Sequence, residues 1–185
     1  MNEGGTIRLK ELSPETKSFF ERLSGYDTLR LILCKKAILV EGDSDELVVQ
    51  KAYMTQNQNK LPIEDRIDVI SVGTSFLRFL EIAEKLNKTV SVVTDNDGNV
   101  AALKKKYENY LNDKSKSNIA ICFDETEDSG DLEIGGKKFN YNTLEPKLLK
   151  VNGLKAMTAI LGTDHTGVDE LHRYMKSNKT ECALK

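Results

Sequence analysis

The chain has 185 residues, a length that suits one domain with a small appendage and that can bury a real core. Its formal net charge of −2 lacks the basic excess of a stand-alone DNA-binding domain, but it is compatible with an enzyme that receives positive charge from bound metal ions. No apolar run approaches the ~20 residues that span a bilayer, and the polar N-terminus does not resemble a signal peptide, so we expect a cytoplasmic protein.

Two helices are predicted before the first strand. Ser13-Pro14 is a helix-start signal, with Ser as the N-cap and Pro at the first helical position, and this helix is predicted to stop at Gly25. A second short helix is predicted over residues 27–34. The run KAILVEG (36–42) is apolar and rich in β-forming residues, which predicts the first strand.

Strands and helices then alternate as far as residue 124. Three further strands are predicted over 66–73, 89–97 and 117–124, and three helices over 44–57, 75–86 and 101–111. This alternation implies right-handed crossovers and a mainly parallel sheet flanked by helices, which is a Rossmann-like α/β fold. The strands contain consecutive apolar residues, as strands covered on both faces do.

The pattern changes after residue 124. Residues 125–142 are acidic and rich in glycine, which predicts a loop with a short hairpin, and from Thr143 onward the chain turns helical, with a last stretch from Val168 to the end. We therefore predict a helical lead-in over 1–35, an α/β core over 36–142 and a C-terminal helical appendage over 143–185. The chain stops inside a predicted helix without a cap, which suggests an excised or truncated domain.

Two acidic clusters follow the first and third predicted strands. They are EGDSDE, which begins at Glu41, and DNDGN, which begins at Asp95. In an open parallel sheet, sites form outside the C-terminal ends of the strands, and these clusters face each other if strands one and three are neighbours. Crowded carboxylates repel one another, and a hard cation such as Mg²⁺ or Mn²⁺ relieves that repulsion. Two such ions ~4 Å apart can clamp both oxygens of a phosphoryl transfer.

Each cluster also has a plainer explanation. Asp, Asn, Ser and Gly are ordinary turn residues, and Ser44 or Asp45 can simply cap the following helix. An EF-hand loop is rejected, because the glycine of DNDGN is at position four and position twelve is Lys106. A phosphatase with an aspartyl nucleophile normally has its DxDG loop after the first strand and not after the third.

Three segments of the predicted core and two C-terminal segments form a recognisable series. They are ILVEGDSDE, ISVGTSFLRFLEIAEKL and VVTDNDGN, followed by NTLEPKLL (142–149) and SNKTECALK (177–185). In this order they resemble the TOPRIM domain of OLD-family (overcoming lysogenization defect) nucleases, over about residues 25–185. TOPRIM domains share a glutamate after one strand and a DxD motif after another, which here are Glu41 and Asp95/Asp97.

The resemblance implies a divalent-metal-dependent DNA endonuclease with two Mg²⁺ or Mn²⁺ ions. Glu41 and Asp45 would contribute to one metal site, although the family often has Glu where this chain has Asp45. Asp95 would lie between the two ions, Asp97 would complete the acidic group, and Glu145, in TLEP, would be a further ligand.

Lys179, in NKTE, would stabilise charge on the scissile phosphate, so that the resemblance implies a catalytic group of Glu41, Asp95 and Lys179. The plainer explanations are a solvated surface lysine, and for Glu145 an acid that favours the start of a helix.

The resemblance also implies partners. DNA would be the substrate, and phage defence the setting. OLD-family proteins carry an ATPase domain before the TOPRIM domain, but this chain has no GxxxxGK[ST] loop, so ATP would act only through a domain that is missing here. Homo-oligomerisation through missing regions is a further expectation.

Three other functions stay open at this point. A non-catalytic TOPRIM module for DNA binding or assembly predicts DNA binding without metal-dependent cleavage. A primase or topoisomerase fragment is the second, although the topoisomerase would need a tyrosine nucleophile in another domain. A phosphotransfer receiver domain is the third, with a single phospho-acceptor Asp after strand three.

Overall fold

A computed structural model of the chain describes residues 11–22 and 26–185. Residues 1–10 of the predicted helical lead-in and the predicted helix stop at Gly25 lie outside these residues. The chain divides into two compact units. The sheet unit contains the described residues up to Thr94 together with Tyr107–Cys122, and the helical unit contains Asp95–Lys106 and Phe123–Lys185. The three-part division predicted at residues 35 and 142 stays a prediction.

Four parallel strands form the centre of the sheet unit. They are β1 (Lys36–Val40), β2 (Ile67–Ser71), β3 (Thr89–Val93) and β4 (Ile119–Cys122), in the spatial order β2-β1-β3-β4. This arrangement, with its flanking helices, confirms the predicted α/β fold. Each strand ends earlier than predicted, because the turn-forming residues at the predicted ends leave the sheet.

Helices occupy most of the remaining chain. Up to residue 122 they are α1 (Pro14–Arg22), α2 (Tyr26–Leu33), α3 (Asp43–Gln56), α4 (Phe76–Lys85), α5 (Val100–Lys106) and α6 (Glu108–Leu111). Beyond it they are α7 (Leu144–Asn152), α8 (Leu154–Leu161), α9 (Val168–Ser177) and α10 (Lys179–Leu184). Ser13 caps α1 as predicted, since its hydroxyl accepts a hydrogen bond from Thr16 N–H at 3.3 Å. None of the described helices is long and apolar enough to cross a membrane.

Two predicted helices are each divided by a break. The helix predicted over 101–111 forms α5 and α6, because Tyr107 leaves helical geometry (φ −108°, ψ 17°) and its ring is buried against Phe76 with centroids 6.5 Å apart. The helix predicted from Val168 to the end forms α9 and α10, separated at Asn178, whose amide donates to the Tyr174 carbonyl at 2.8 Å. Side-chain burial and a side-chain hydrogen bond therefore override local helix propensity at these positions.

The core of the sheet unit lies on both faces of the sheet. Leu39 and Val40 are both buried, as are Val69 and Ile70. Because successive residues of a strand point to opposite faces, burial of such pairs means that both faces are covered. The residues predicted at helical spacing on α4 are all buried: Phe76, Phe79, Leu80 and Ala83.

Arg30 connects three elements of the sheet unit through its guanidinium group. Its Nε and Nη2 donate to the carboxylate of Asp68 at 3.1 and 2.8 Å, and Nη2 also donates to Glu46 Oε1 at 3.0 Å. Burial opposes the charge, but the hydrogen bonds to both carboxylates outweigh it and raise the pKa of Arg30 above its ordinary value. Glu46 Oε2 accepts from Ser71 N–H at 3.2 Å. One cation therefore holds α2, α3 and β2 together.

We predict that Arg30→Ala lowers the free energy of unfolding by about 3 kcal/mol, because it leaves partly buried carboxylates unpaired. Urea denaturation followed by circular dichroism measures the change. Lys17→Ala is the control, since Lys17 forms an exposed pair with Glu21 at 3.9 Å, and it should cost less than about 1 kcal/mol. Equal losses in the two variants would contradict the role given to Arg30.

The helical unit has a core of its own and a short hairpin. Strands β5 (Glu133–Ile134) and β6 (Lys137–Lys138) pair antiparallel, which confirms the hairpin predicted within residues 125–142. Gly135 and Gly136 connect them with φ values of 60° and 72°, the left-handed conformation that a two-residue hairpin turn favours. The core is built by α7, α8 and α9 from Leu149, Met157, Leu161, Leu171 and Met175.

Candidate active site

The carboxyl ends of β1 and β3 lie side by side at one edge of the sheet. The two strands pair in parallel, with Leu39 opposite Val92. Glu41 is two residues after Leu39, and Thr94 is two residues after Val92, so the backbone leaves both strands at the same level. The strand order reverses between β1 and β3, which is where open α/β sheets bind ligands. The pairing of strands one and three on which the predicted site depends is therefore present.

Tyr107 is buried near this edge of the sheet, within the sheet unit. Burial raises the pKa of Tyr107 well above its ordinary value, the Glu41 carboxylate raises it further, and the nearby Thr94 side chain opposes the rise. One protonated phenol therefore lies near the residue after β1 and near the residue after β3. Sequence reasoning found no role for Tyr107, whose only signal was an aromatic residue directly after three lysines.

The acidic residues that follow β1 make different contacts. Asp45 is in the first turn of α3, and its Oδ2 accepts a hydrogen bond from Gly42 N–H at 3.1 Å, which is the capping contact of the plainer explanation. Glu46 is engaged by Arg30. Glu41 is exposed, and its carbonyl accepts from Gly73 N–H at 3.0 Å, which fixes its backbone beside β2. A metal-binding role for Glu41 and Asp45 stays a prediction.

The DNDGN loop begins the helical unit and is held by its first asparagine. Asn96 is buried, and its amide nitrogen donates to the carbonyl oxygens of Asp124 and Thr126 at 2.6 and 2.9 Å. Its side-chain oxygen accepts from Gly98 N–H at 2.8 Å. Every polar atom of this buried amide is therefore in use, and the loop is anchored to the segment that follows β4.

Asp95 and Asp97 lie in this loop and not on one face of a strand. The strand predicted over residues 89–97 is too long, because β3 ends at Val93. Asp97 has a left-handed φ of 51°, which Asp adopts more readily than most residues other than Gly. Its Oδ1 accepts a hydrogen bond from Asn140 Nδ2 at 3.0 Å. Turn geometry and a distant amide therefore orient this part of the acidic motif.

Glu145 and Lys179, the two site residues predicted in the C-terminal segment, contact each other. Glu145 lies in the first turn of α7 and is only 6% exposed. Its Oε2 is 3.1 Å from Lys179 Nζ and accepts a hydrogen bond from the Thr143 hydroxyl at 3.4 Å. Its Oε1 is buried and has no hydrogen-bond partner among the described residues. Such an oxygen favours a ligand that carries positive charge, because an unpaired buried carboxylate oxygen is unfavourable.

A cavity of about 90 Å³ in the helical unit adjoins this pair. It is lined by Phe139, Asn140, Thr143, Glu145, Pro146, Lys176 and Lys179. Carboxylate, amide and hydroxyl oxygens are the donors that Mg²⁺ and Mn²⁺ prefer. The unpartnered Glu145 oxygen therefore fits a hard divalent cation, while the ammonium groups of Lys176 and Lys179 in the same lining favour an anionic group such as a phosphate.

The predicted carboxylate ligands are divided between the two units. Glu41 and Asp45 belong to the sheet unit, and Asp95, Asp97 and Glu145 belong to the helical unit. Within residues 11–22 and 26–185, no group of three or more His, Cys, Asp or Glu side chains is close enough to hold a metal ion. The joint use of these five carboxylates stays a prediction.

A second network of charges lies in the same NTLEPKLL segment and was not predicted. Lys147 Nζ is 2.7 Å from Asp124 and 2.6 Å from Asp128, and it donates to the Thr126 carbonyl at 2.8 Å. The hydrogen bond from Lys147, followed by the one from Thr126 N–H, lowers the pKa of Asp124 to about 2. Lys150 also contacts Asp128, at 2.5 Å. The sequence signal for this network was the spacing of Lys147 and Lys150, which lie one turn apart on α7.

Comparison with protein-family models finds one family in the core of the chain. Residues 32–97 match the family described as overcoming lysogenization defect protein-like, TOPRIM domain. This chain carries an OLD-like TOPRIM domain. The matched residues span β1, β2 and β3 and include Glu41, Asp45, Asp95 and Asp97. Comparisons with curated proteins and with solved structures found no match.

The OLD-like TOPRIM domain places the chain in a broad chemical class. TOPRIM domains are metal-binding domains of the nucleotidyl-transfer and nuclease type, and they occur in metal-dependent nucleases, primases and topoisomerases. They bind divalent metals such as Mg²⁺. Glu145 and Lys179 lie outside the matched residues, so their contact in the structure is an observation separate from the family match.

Lys147→Met is expected to lower stability at neutral pH and to have little effect near pH 2. The folded pKa of Asp124, about 2, lies below its ordinary value of about 3.9. This contribution to stability is therefore present above about pH 4 and is lost as the pH falls through the folded pKa. Urea denaturation of parent and variant between pH 2 and 7 should show the difference shrinking. A difference independent of pH would contradict this.

Proposed function

We propose that this chain is the divalent-metal-dependent DNA endonuclease part of an OLD-family nuclease. The observation that carries the proposal is the contact of Glu145 with Lys179 beside a cavity. It puts a buried carboxylate, one of whose oxygens has no partner in the described ranges, next to an ammonium group. Metal-dependent phosphodiester hydrolysis uses anionic groups that bind the cation and cationic groups that stabilise the charge of the phosphate. The OLD-like TOPRIM match supports the same activity.

The proposed ligands for two Mg²⁺ or Mn²⁺ ions are the carboxylates of Glu41, Asp45, Asp95, Asp97 and Glu145. The parallel pairing of β1 with β3 supports Glu41, and chain connectivity supports Asp95, which directly follows Thr94. Bound cations would supply an activated water nucleophile and would neutralise negative charge at the scissile phosphate.

Lys179 is the proposed catalytic lysine, and Glu41 and Asp95 are the proposed catalytic carboxylates. It is the first residue of α10, and its side chain is 47% exposed, so a DNA phosphate can approach its ammonium group from solvent. Its charge would stabilise the negative charge that develops on the phosphate during hydrolysis. Glu145 Oε2 holds the ammonium group in place, so this carboxylate also orients the lysine.

DNA is the proposed substrate, and the wider setting rests on the OLD likeness alone. We propose that the activity serves a longer ATPase–nuclease in phage defence, in the cytoplasm. ATP would act only through a domain outside this chain, and homo-oligomerisation would use regions outside it as well.

The 185-residue chain is expected to nick supercoiled plasmid DNA with Mg²⁺ or Mn²⁺ and to be inactive with a chelator. Asp95→Ala and Lys179→Met should each lower the nicking rate by about 100-fold or more, because each removes a charge that acts on the reacting phosphate. Lys155→Met, at an exposed lysine on α8, should keep the parent rate.

Two results of this assay would contradict the proposal. Undiminished cleavage by Asp95→Ala would overturn the ligand set. DNA binding without metal-dependent cleavage would favour the alternative, a non-catalytic TOPRIM module for DNA binding or assembly.

Glu145→Gln is expected to weaken Mn²⁺ binding by about tenfold or more, because it keeps the shape of the buried side chain and removes its charge. Isothermal titration calorimetry without DNA measures the affinity. Glu170→Gln, at an exposed glutamate on α9, is the matched control and should bind Mn²⁺ as the parent does. If Glu145→Gln binds Mn²⁺ as tightly as the parent, Glu145 is not a metal ligand. The role of Lys179 would then be tested by the cleavage assay alone.

A further inference from the structure

Asn140 is hydrogen-bonded at both ends of its side-chain amide, and both contacts lie within the helical unit. Its Oδ1 accepts a hydrogen bond from Asn142 N–H at 2.9 Å. A backbone N–H can only donate, so this contact requires the amide oxygen, and not the nitrogen, to face Asn142. The Nδ2 group is then directed to Asp97, and it donates to Asp97 Oδ1 at 3.0 Å. The orientation of the amide is therefore determined by its neighbours.

Asn142 lies close to the same loop and is held by a third segment of the helical unit. Its buried side-chain amide accepts from Asp128 N–H at 2.7 Å and donates to the Asp128 carbonyl at 2.8 Å. A Cβ atom added to Gly98 would lie 3.1 Å from Asn142 Nδ2, so the DNDGN loop approaches this amide closely. Asn140 thus contacts Asp97, and Asn142 lies close to Gly98, the next residue of the loop.

Asn140 also lines the cavity that is lined by Glu145 and Lys179. The Asn140 amide therefore contacts the carboxylate of Asp97 and also lines the cavity beside Glu145, the second proposed ligand. Asp97 is exposed, so without a donor its side chain would exchange among several rotamers. A hydrogen bond to one oxygen of a ligating carboxylate restricts it to the rotamer that presents the other oxygen to the cation.

We propose that Asn140 is a positioning residue for Asp97: its hydrogen bond to Oδ1 orients Oδ2 toward a divalent cation. This role rests on the proposed function of Asp97 as a metal ligand. It requires Asn140 to act through Asp97, so that removal of the amide has no further effect on cation binding once the Asp97 carboxylate is gone.

Mn²⁺ binding by the full 185-residue chain, measured by calorimetry in the absence of DNA, tests this role. Asn140→Ala is expected to weaken Mn²⁺ binding about tenfold, the lower end of the range for residues that orient metal ligands. Asp97→Ala should weaken it at least as much, and the double variant should match Asp97→Ala. Asn152→Ala is the matched control, because the Asn152 amide donates to the Leu148 carbonyl on α7 at 2.9 Å, and it should keep the parent affinity.

The two proposals fail in different ways. Parent-like Mn²⁺ affinity in Asp97→Ala would overturn Asp97 as a ligand, and the role of Asn140 with it. Weaker binding in Asp97→Ala together with parent-like binding in Asn140→Ala would overturn only the role of Asn140. Losses that multiply in the double variant would do the same, because they would show that Asn140 acts independently of Asp97.

A second substitution covers the case in which Asn140→Ala does not fold, which thermal denaturation reveals. Asn140→Ser keeps a short side-chain acceptor for the Asn142 N–H but is too short to donate to Asp97. It should show the same loss of Mn²⁺ affinity and the same absence of a further effect in the Asp97→Ala background. Parent-like binding by a folded Asn140→Ser variant would overturn the role of Asn140.

Discussion

Strand β1 pairs with β2 on one side and with β3 on the other. This pairing determines where polar side chains can come together in the sheet unit. A strand that is buried on both faces must satisfy its backbone N–H and C=O groups through neighbouring strands, and β1 does so on both edges. All of these pairings are parallel, so the residues that follow β1 and β3 emerge at the same edge of the sheet. Glu41 and Thr94 lie there, and both influence the buried hydroxyl of Tyr107.

The carboxylates of this chain differ in what compensates their charge. Glu46 is neutralised by a guanidinium group, Asp45 accepts a backbone N–H, and Asp124 is paired with a lysine. These contacts stabilise the charged form of each carboxylate and connect the segments that carry them. Glu145 is buried more deeply, yet among the described residues only one of its oxygens is hydrogen-bonded or ion-paired. This incomplete compensation of a buried carboxylate is the feature that supports the proposed ligand role of Glu145.

Asparagine, more than any charged residue, shapes the DNDGN loop. Asn96, Asn140 and Asn142 each use the amide as donor and acceptor at once, and each contacts a backbone group with at least one of these ends. An aspartate in any of these positions would lose the donor and would add negative charge beside Asp95 and Asp97. The neutral amide therefore holds an acidic loop in place without adding to the repulsion between its carboxylates.

The sequence alone determined the α/β class, the order of the elements, the helix start at Ser13 and the position of the hairpin, because hydrophobic periodicity and capping act over only a few residues. The motifs also indicated Glu145 and Lys179, which the structure brings into contact. Only the tertiary structure decided that the helix breaks at Tyr107, that Asp45 caps α3 while Glu46 binds Arg30, and that an amide 43 residues away orients Asp97. These outcomes depend on burial and on hydrogen bonds between side chains far apart along the chain, and no local pattern of residues encodes which distant group will arrive.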